Sequence, residues 1–170
     1  MFIDSMDEDW KYAASIVEAC GGQTVMALQC TSGDSFVGSE TCGPNAVSVT
    51  VTVASTTYHF SSAITTSTLG KKVSATAIEA CSLDGTTAAV CSVTVGGEVD
   101  GTKTTTSSVT TAAGSDYYRF DVAITAGAEK TASATGTCGG SGKSAGTTVT
   151  SKGMMVWALA GVATSILALL

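Results

Sequence analysis

Cys81 and Cys91 bracket the stretch Ser82-Leu83-Asp84-Gly85-Thr86-Thr87-Ala88-Ala89-Val90, and no other segment narrows the fold as far. Asp84-Gly85 is a hairpin-turn dipeptide between two runs of β-forming residues. A five-residue loop from Asp84 to Ala88 sets Cys81 opposite Cys91 on antiparallel strands. Directly opposed Cβ atoms lie about 4.5–5.5 Å apart, which small adjustments bring to bridging distance. Closing so short a loop contributes about 2–3 kcal/mol. The predicted unit is a β-hairpin stapled by its own disulfide.

The same signature occurs earlier in the chain. Ala14-Ser15-Ile16-Val17-Glu18-Ala19-Cys20 matches Ala75-Thr76-Ala77-Ile78-Glu79-Ala80-Cys81, and Cys30 and Cys91 follow at equal spacing, so both copies read Glu-Ala-Cys-x9-Cys. Val49-Thr50 then matches Val109-Thr110, Tyr58-His59-Phe60 matches Tyr118-Arg119-Phe120, and Ala63-Ile64-Thr65 matches Ala123-Ile124-Thr125. Two degenerate units of about 60 residues, near 14–70 and 75–131, are expected from this self-similarity.

Within each unit the pattern has period two. Val47, Val49, Val51 and Val53 alternate with Ser48, Thr50 and Thr52, and Tyr118, Phe120, Val122 and Ile124 alternate with Arg119, Asp121 and Ala123. Such alternation marks strands with one buried and one solvated face. Val73, Ala75 and Ala77 open a further alternation, and Val90 to Val95 and Ser107 to Ala112 add short strands. Turn signals at Gly33-Asp34, Gly70, Asp84-Gly85, Gly96-Gly97 and Gly114 punctuate them. The expected fold is all-β: an antiparallel, Ig-like β-sandwich of eight or nine strands in two sheets, without a helix of consequence before the C-terminal tail.

Six cysteines in a chain with 19 Gly, a single Pro and many Ser and Thr point to a disulfide framework in an oxidising compartment. Beyond Cys81–Cys91, two arrangements remain open. The repeat favours Cys20–Cys30, leaving Cys42 for Cys138; local spacing equally allows Cys30–Cys42, with Cys20 reaching Cys138. One histidine and no Cys-x2-Cys argue against a metal site, and no cofactor is implied.

The remaining residues carry little chemistry. A single arginine, Arg119, and a net charge of −6 exclude a basic nucleic-acid footprint. His59, flanked by Tyr58 and Phe60, is expected to point away from the core as an exposed polar residue, with no nucleophile or carboxylate spaced around it. Glu98 with Asp100, and Asp116 with Asp121, show no spacing that marks an acid–base pair. No catalytic residue is assigned, and an enzyme is not expected. Tyr117, Tyr118 and Phe120 form the densest aromatic group; at period two, Tyr117 faces out and is the candidate glycan contact. The only asparagine, Asn45, lies outside an N-glycosylation sequon, so glycosylation is expected to be O-linked.

The two ends give conflicting addresses. Residues 139–153 form a Gly/Ser/Thr linker and spacer, and 154–170 are uninterruptedly apolar. Small residues, polar spacer and greasy tail are the layout of a glycosylphosphatidylinositol (GPI) attachment signal. Ser144 is the expected attachment residue, with Gly140 as the alternative; the rival reading of the tail is a retained single-span membrane anchor. Residues 1–11 are acidic, with Ser5 placed to cap a short helix and Trp10 the only residue with much to bury, and they lack the basic and apolar regions of a secretory signal. Either the gene start is truncated or misjoined, which is the expected explanation, or the tail is not a GPI signal. Residues 12–138 are then the disulfide-stapled ectodomain.

Several of these residues together resemble a family of small fungal Ser/Thr-rich GPI-anchored cell-surface proteins: Cys81 through Cys91, Cys42-Gly43-Pro44, the Tyr-x-Phe-x-x-Ala-Ile-Thr strand with Ala126-Gly127-Ala128 after it, and the apolar tail. The resemblance implies display on the plasma membrane or cell wall through a lipid anchor and carries no established activity to transfer; cell-wall polysaccharide is the partner expected of a glycan-binding surface. A structural surface component is the leading expectation, and an adhesin or glycan-binding module using Tyr117 is the second.

Overall fold

The computed structural model describes residues 1–3, 9–33, 42–43, 48–68, 71–132, 134 and 136. The linker 139–153 with the expected attachment residues Ser144 and Gly140, the tail 154–170, Cys138, the expected helix cap Ser5 and the turn expected at Gly70 lie outside the described residues. The strands are β1 (Lys11–Cys20), β2 (Gln23–Ser32), β3 (Ser48–Val53), β4 (Thr57–Thr68), β5 (Lys71–Asp84), β6 (Ala88–Val99), β7 (Thr102–Ala113) and β8 (Ala123–Ala126), and a single helical turn, α1 (Glu129–Ala132), follows.

The all-β expectation holds, but the two-sheet sandwich gives way to one sheet of eight strands in the order β7-β6-β5-β4-β3-β2-β1-β8. Strands β1 to β7 are an antiparallel meander, and β8 returns to lie parallel beside β1. The reason lies in the connections. Turns of two or three residues join β1 to β2, β3 to β4, β5 to β6 and β6 to β7, and a short turn forces consecutive strands to pair. A sandwich needs longer crossings between its sheets.

Two of these turns use left-handed backbone. Gly21 and Gly22 have φ of 55° and 77°, and Asp100 and Gly101 have φ of 49° and 85°. Each is the two-residue turn whose twist matches its flanking strands. The turn expected at Gly96-Gly97 is therefore misplaced: those glycines run straight through β6, and the hairpin closes at Asp100-Gly101.

One face of the sheet carries the core, and register explains how. Ile16, Met26, Val51 and Phe60 sit opposite one another in successive strands, as do Ala14, Leu28 and Val49, and all seven are buried. Tyr58, Cys81 and Cys91 continue the face into the second half. Period-two patterning in the Val49–Val53 run is borne out at Val49 and Val51.

The long connection from β7 to β8 closes this face. Flat, the spacings separating these strands would measure about 34 Å. The chain from Ala113 to Ala123 reaches that far only when fully extended, at about 3.4 Å per residue, and it begins with a 3-10 turn at Gly114–Asp116. The sheet must roll, in keeping with its intrinsic twist. Residues 117–122 then cross the rolled face, and Met1–Ile3 pairs with them: Phe2 bridges Arg119, the Met1 nitrogen donates to the Phe120 carbonyl at 2.7 Å, and Phe120 N–H donates to the Met1 carbonyl at 2.8 Å. Burial, and after it the positive Arg119, hold the Met1 amino group below its ordinary pKa.

This corrects the expectation that Trp10 is the only residue of 1–11 with much to bury. Phe2, Ile3 and Trp10 are buried. The Phe2 ring meets Tyr58 edge-on at 5.4 Å and stacks on Tyr117 at 4.9 Å, while Phe120 meets Tyr12 edge-on at 5.0 Å. Trp10 lies over Gly33, where a Cβ would come within 2.9 Å of the indole. The expected alternation holds from Tyr118 to Val122, with Arg119 and Asp121 exposed between them, and ends there. Phe120 is buried and Tyr118 and Val122 are half-buried, but Ile124, the last of that expected alternation, is exposed in β8.

Candidate functional site

The cysteines come first because their geometry is set by the hairpins. Cys81 and Cys91 are direct partners across β5 and β6 and form a disulfide, as expected, around a turn of three residues at 85–87 where five were expected. The first copy of Glu-Ala-Cys-x9-Cys behaves differently. Its turn follows Cys20 at once, so Cys20 faces Gln23 and Cys30 faces Tyr12. Cys20–Cys30 is thereby excluded, and with it Cys42–Cys138. Cys30 bonds to Cys42, tying β2 to the following loop, where Gly43 N–H also donates to the Cys30 carbonyl. Cys20 is itself disulfide-bonded.

Glu79 is the one buried charged residue among those described, and sequence reasoning passed over it. It lies two residues before Cys81 on the same face, opposite Phe60, with a carboxylate oxygen 3.3 Å from the Cys81 sulfur. Period two was the available signal. Glu79, Cys81 and Cys91 are the only close group of three His, Cys, Asp or Glu side chains among the described residues. Both sulfurs are committed to the disulfide, so they offer no thiolate to a metal.

The other candidates are not brought together. His59 is exposed on the outer face between Thr52 and Ala80. Glu98 lies in β6, not in a turn, and forms a 3.7 Å ion pair with Lys103, both well exposed, while Asp100 occupies the β6–β7 turn. Such a surface pair contributes under about 1 kcal/mol. Asp116 ends the 3-10 turn and Asp121 is exposed beyond Phe120. Tyr117 is half-buried with one ring face covered by Phe2, so the aromatic group fills the core where an exposed platform was sought.

What the fold does present outward is hydroxyl. The outer rows read Ala27-Thr50-Ser61-Ile78-Thr94-Ser107 and Val25-Thr52-His59-Ala80-Ser92-Val109 across successive strands. Thr94 and Ser107 hydroxyls are hydrogen-bonded at 2.9 Å. A shallow hollow of about 220 Å³ opens where Gly96 and Gly97 leave β6 without side chains, walled by Ser74, Thr76, Glu98, Lys103, Thr104 and Thr105. A Cβ on Gly96 would stand 2.8 Å from the Thr76 hydroxyl, so that hydroxyl occupies part of the space a side chain would fill. Among the described residues no helix is long and apolar enough to cross a membrane.

The model of one family, described as a domain of unknown function (DUF8768), matches residues 1–126, ending with the last residue of β8. No curated protein matches the chain. No solved structure matches it either.

Proposed function

The chain belongs to the DUF8768 family, and from the character of its surface we propose that it is a non-enzymatic module displayed outside the cell, held to a fungal plasma membrane or wall by a GPI anchor. The observation that carries this reading is the combination of a disulfide-stapled sheet with the layout of 144–170. Two bridges fit an oxidising environment. The small residues at Ser144, the spacer and the apolar run fit anchor attachment. The linker 139–153 holds the sheet off the surface and accepts O-glycans.

Phosphatidylinositol-specific phospholipase C applied to cells expressing the full-length gene tests the anchor. Release into the medium is expected. Retention on the membrane, with wall-digesting enzymes also failing to free the protein, favours the retained single-span anchor instead. A second reading, a glycan-binding surface module, is favoured by the hydroxyl-walled hollow beside Gly96. Tyr117 contributes at most the ring face that Phe2 leaves open. Retention on wall polysaccharide that is lost in Thr76→Val and Thr105→Val would support it.

A further inference from the structure

Strand β7 is the longest unguarded edge among the described residues. Among these it pairs with β6 alone, along its whole length and without a bulge, so every second backbone N–H and C=O points off the sheet. All its side chains are exposed except that of Ala112. Sheets normally protect such an edge with charge, proline, a bulge or a covering segment. β7 has no proline and no bulge, and Lys103 is its one charge. Eight of its twelve residues bear hydroxyls instead: Thr102, the run Thr104 to Ser108, Thr110 and Thr111.

We propose that β7 is an O-glycosylation acceptor strand, and that sugars on it guard the open edge of the sheet. An extended strand with a free backbone side presents what a glycosyltransferase cleft needs, a peptide it can pair with while a hydroxyl projects. The other hydroxyl-rich long strand, β4, is paired on both sides from Tyr58 to Ser61, so among the described strands only β7 is open along its whole length. In the transfer, the acceptor Oγ forms a bond to the anomeric carbon of a phosphate-activated sugar. The anomeric carbon–phosphate oxygen bond breaks, the phosphate departs with that electron pair, and the hydroxyl proton passes to a base of the transferase. Bulky, hydrated sugars along 102–111 exclude a second strand sterically. The site rests on the extracellular reading, because the transferases and activated sugars belong to the secretory pathway.

The test uses the full chain behind a heterologous, cleavable secretory leader in a eukaryotic host. Supplying the leader separates the two proposals: failure of the native gene product to reach the surface overturns the display reading, whereas the acceptor strand is judged on exported protein. Electron-transfer mass spectrometry of the 102–113 region is expected to find sugars on at least one of Thr104, Thr105, Thr106 or Ser108 in most molecules. Recovery of that region unmodified, with sugars confined to 139–153, overturns the proposal. Enzymatic removal of the sugars is expected to convert monomer into larger species by light scattering, and Thr104→Lys/Thr106→Lys to keep the stripped protein monomeric. Stripped wild-type protein that stays monomeric at the same concentration overturns the guarding role.

Discussion

The two edges of the sheet solve the same problem in opposite ways. At one, β1 is covered: β8 pairs with Ala13–Ser15, and α1 packs against the same strand. β1 bulges at Val17, between Ile16 and Glu18, and the exposed carbonyls there are met from outside. The Thr125 hydroxyl donates to the Ala14 carbonyl at 3.2 Å and the Lys130 ammonium to the Val17 carbonyl at 2.9 Å. Gly127, at φ 77°, lies so close to the Ile16 carbonyl that a Cβ would stand 2.2 Å from its oxygen. At the other edge, no described residue covers β7 in this way. The difference teaches where the chain spends its C-terminal strand. The segment that could have extended the meander past β7 crosses the core and closes β1, burying Phe120 and fixing Phe2 on the way.

If the crossing is what holds the edges in place, removing its anchor has the largest effect. Phe2→Ala is expected to cost about 3–5 kcal/mol, since it empties a buried aromatic site against both Tyr58 and Tyr117; denaturant unfolding checks this. Gly127→Ala comes next, at about 2–4 kcal/mol, from a backbone clash added to a left-handed φ. Its signature is faster amide exchange in β1 with β7 unchanged. Lys130→Ala removes one exposed charged hydrogen bond and is expected to cost under about 1 kcal/mol in the same unfolding measurement. Thr106→Lys in β7 stands at the end of the series, within about 0.5 kcal/mol of wild type, because that side chain is solvated on an open edge. A large cost at Thr106 would mean that the edge is covered.

The strands were readable where local chemistry decides them. Asp84-Gly85 sits near the midpoint between Cys81 and Cys91, so turn and bridge agree. Gly21-Gly22 sits immediately after Cys20, and the same ten-residue spacing then yields no bridge; the turn's position, not the spacing, selects the partner. Gly96-Gly97 imitates a turn, but β5 and β7 pair with β6 on both sides there and hold it straight. The matched segments of the two copies fall on β1 and β5, β2 and β6, and β3 and β7, then part: Tyr58-His59-Phe60 pairs beside β3, while Tyr118-Arg119-Phe120 leaves β7. That departure, and the burial of Phe2 against Tyr58 and Tyr117 beside its bridge to Arg119, depends on long-range pairing that no local pattern encodes. Of the candidate surface, the hydroxyl richness was legible and the edge that exposes it was not.

Amide hydrogen exchange on the oxidised, unglycosylated Thr104→Lys/Thr106→Lys variant, read residue by residue at a concentration where light scattering shows monomer, tests the asymmetry of the edges most directly. Along β7 alternation is expected, with amides bonded to β6 protected and those pointing away exchanging at nearly unfolded rates. Along Ala13–Ser15 in β1 protection is expected on both sides. Uniform protection through Thr102–Ala113 would mean that another strand closes the sheet, and would contradict the asymmetry.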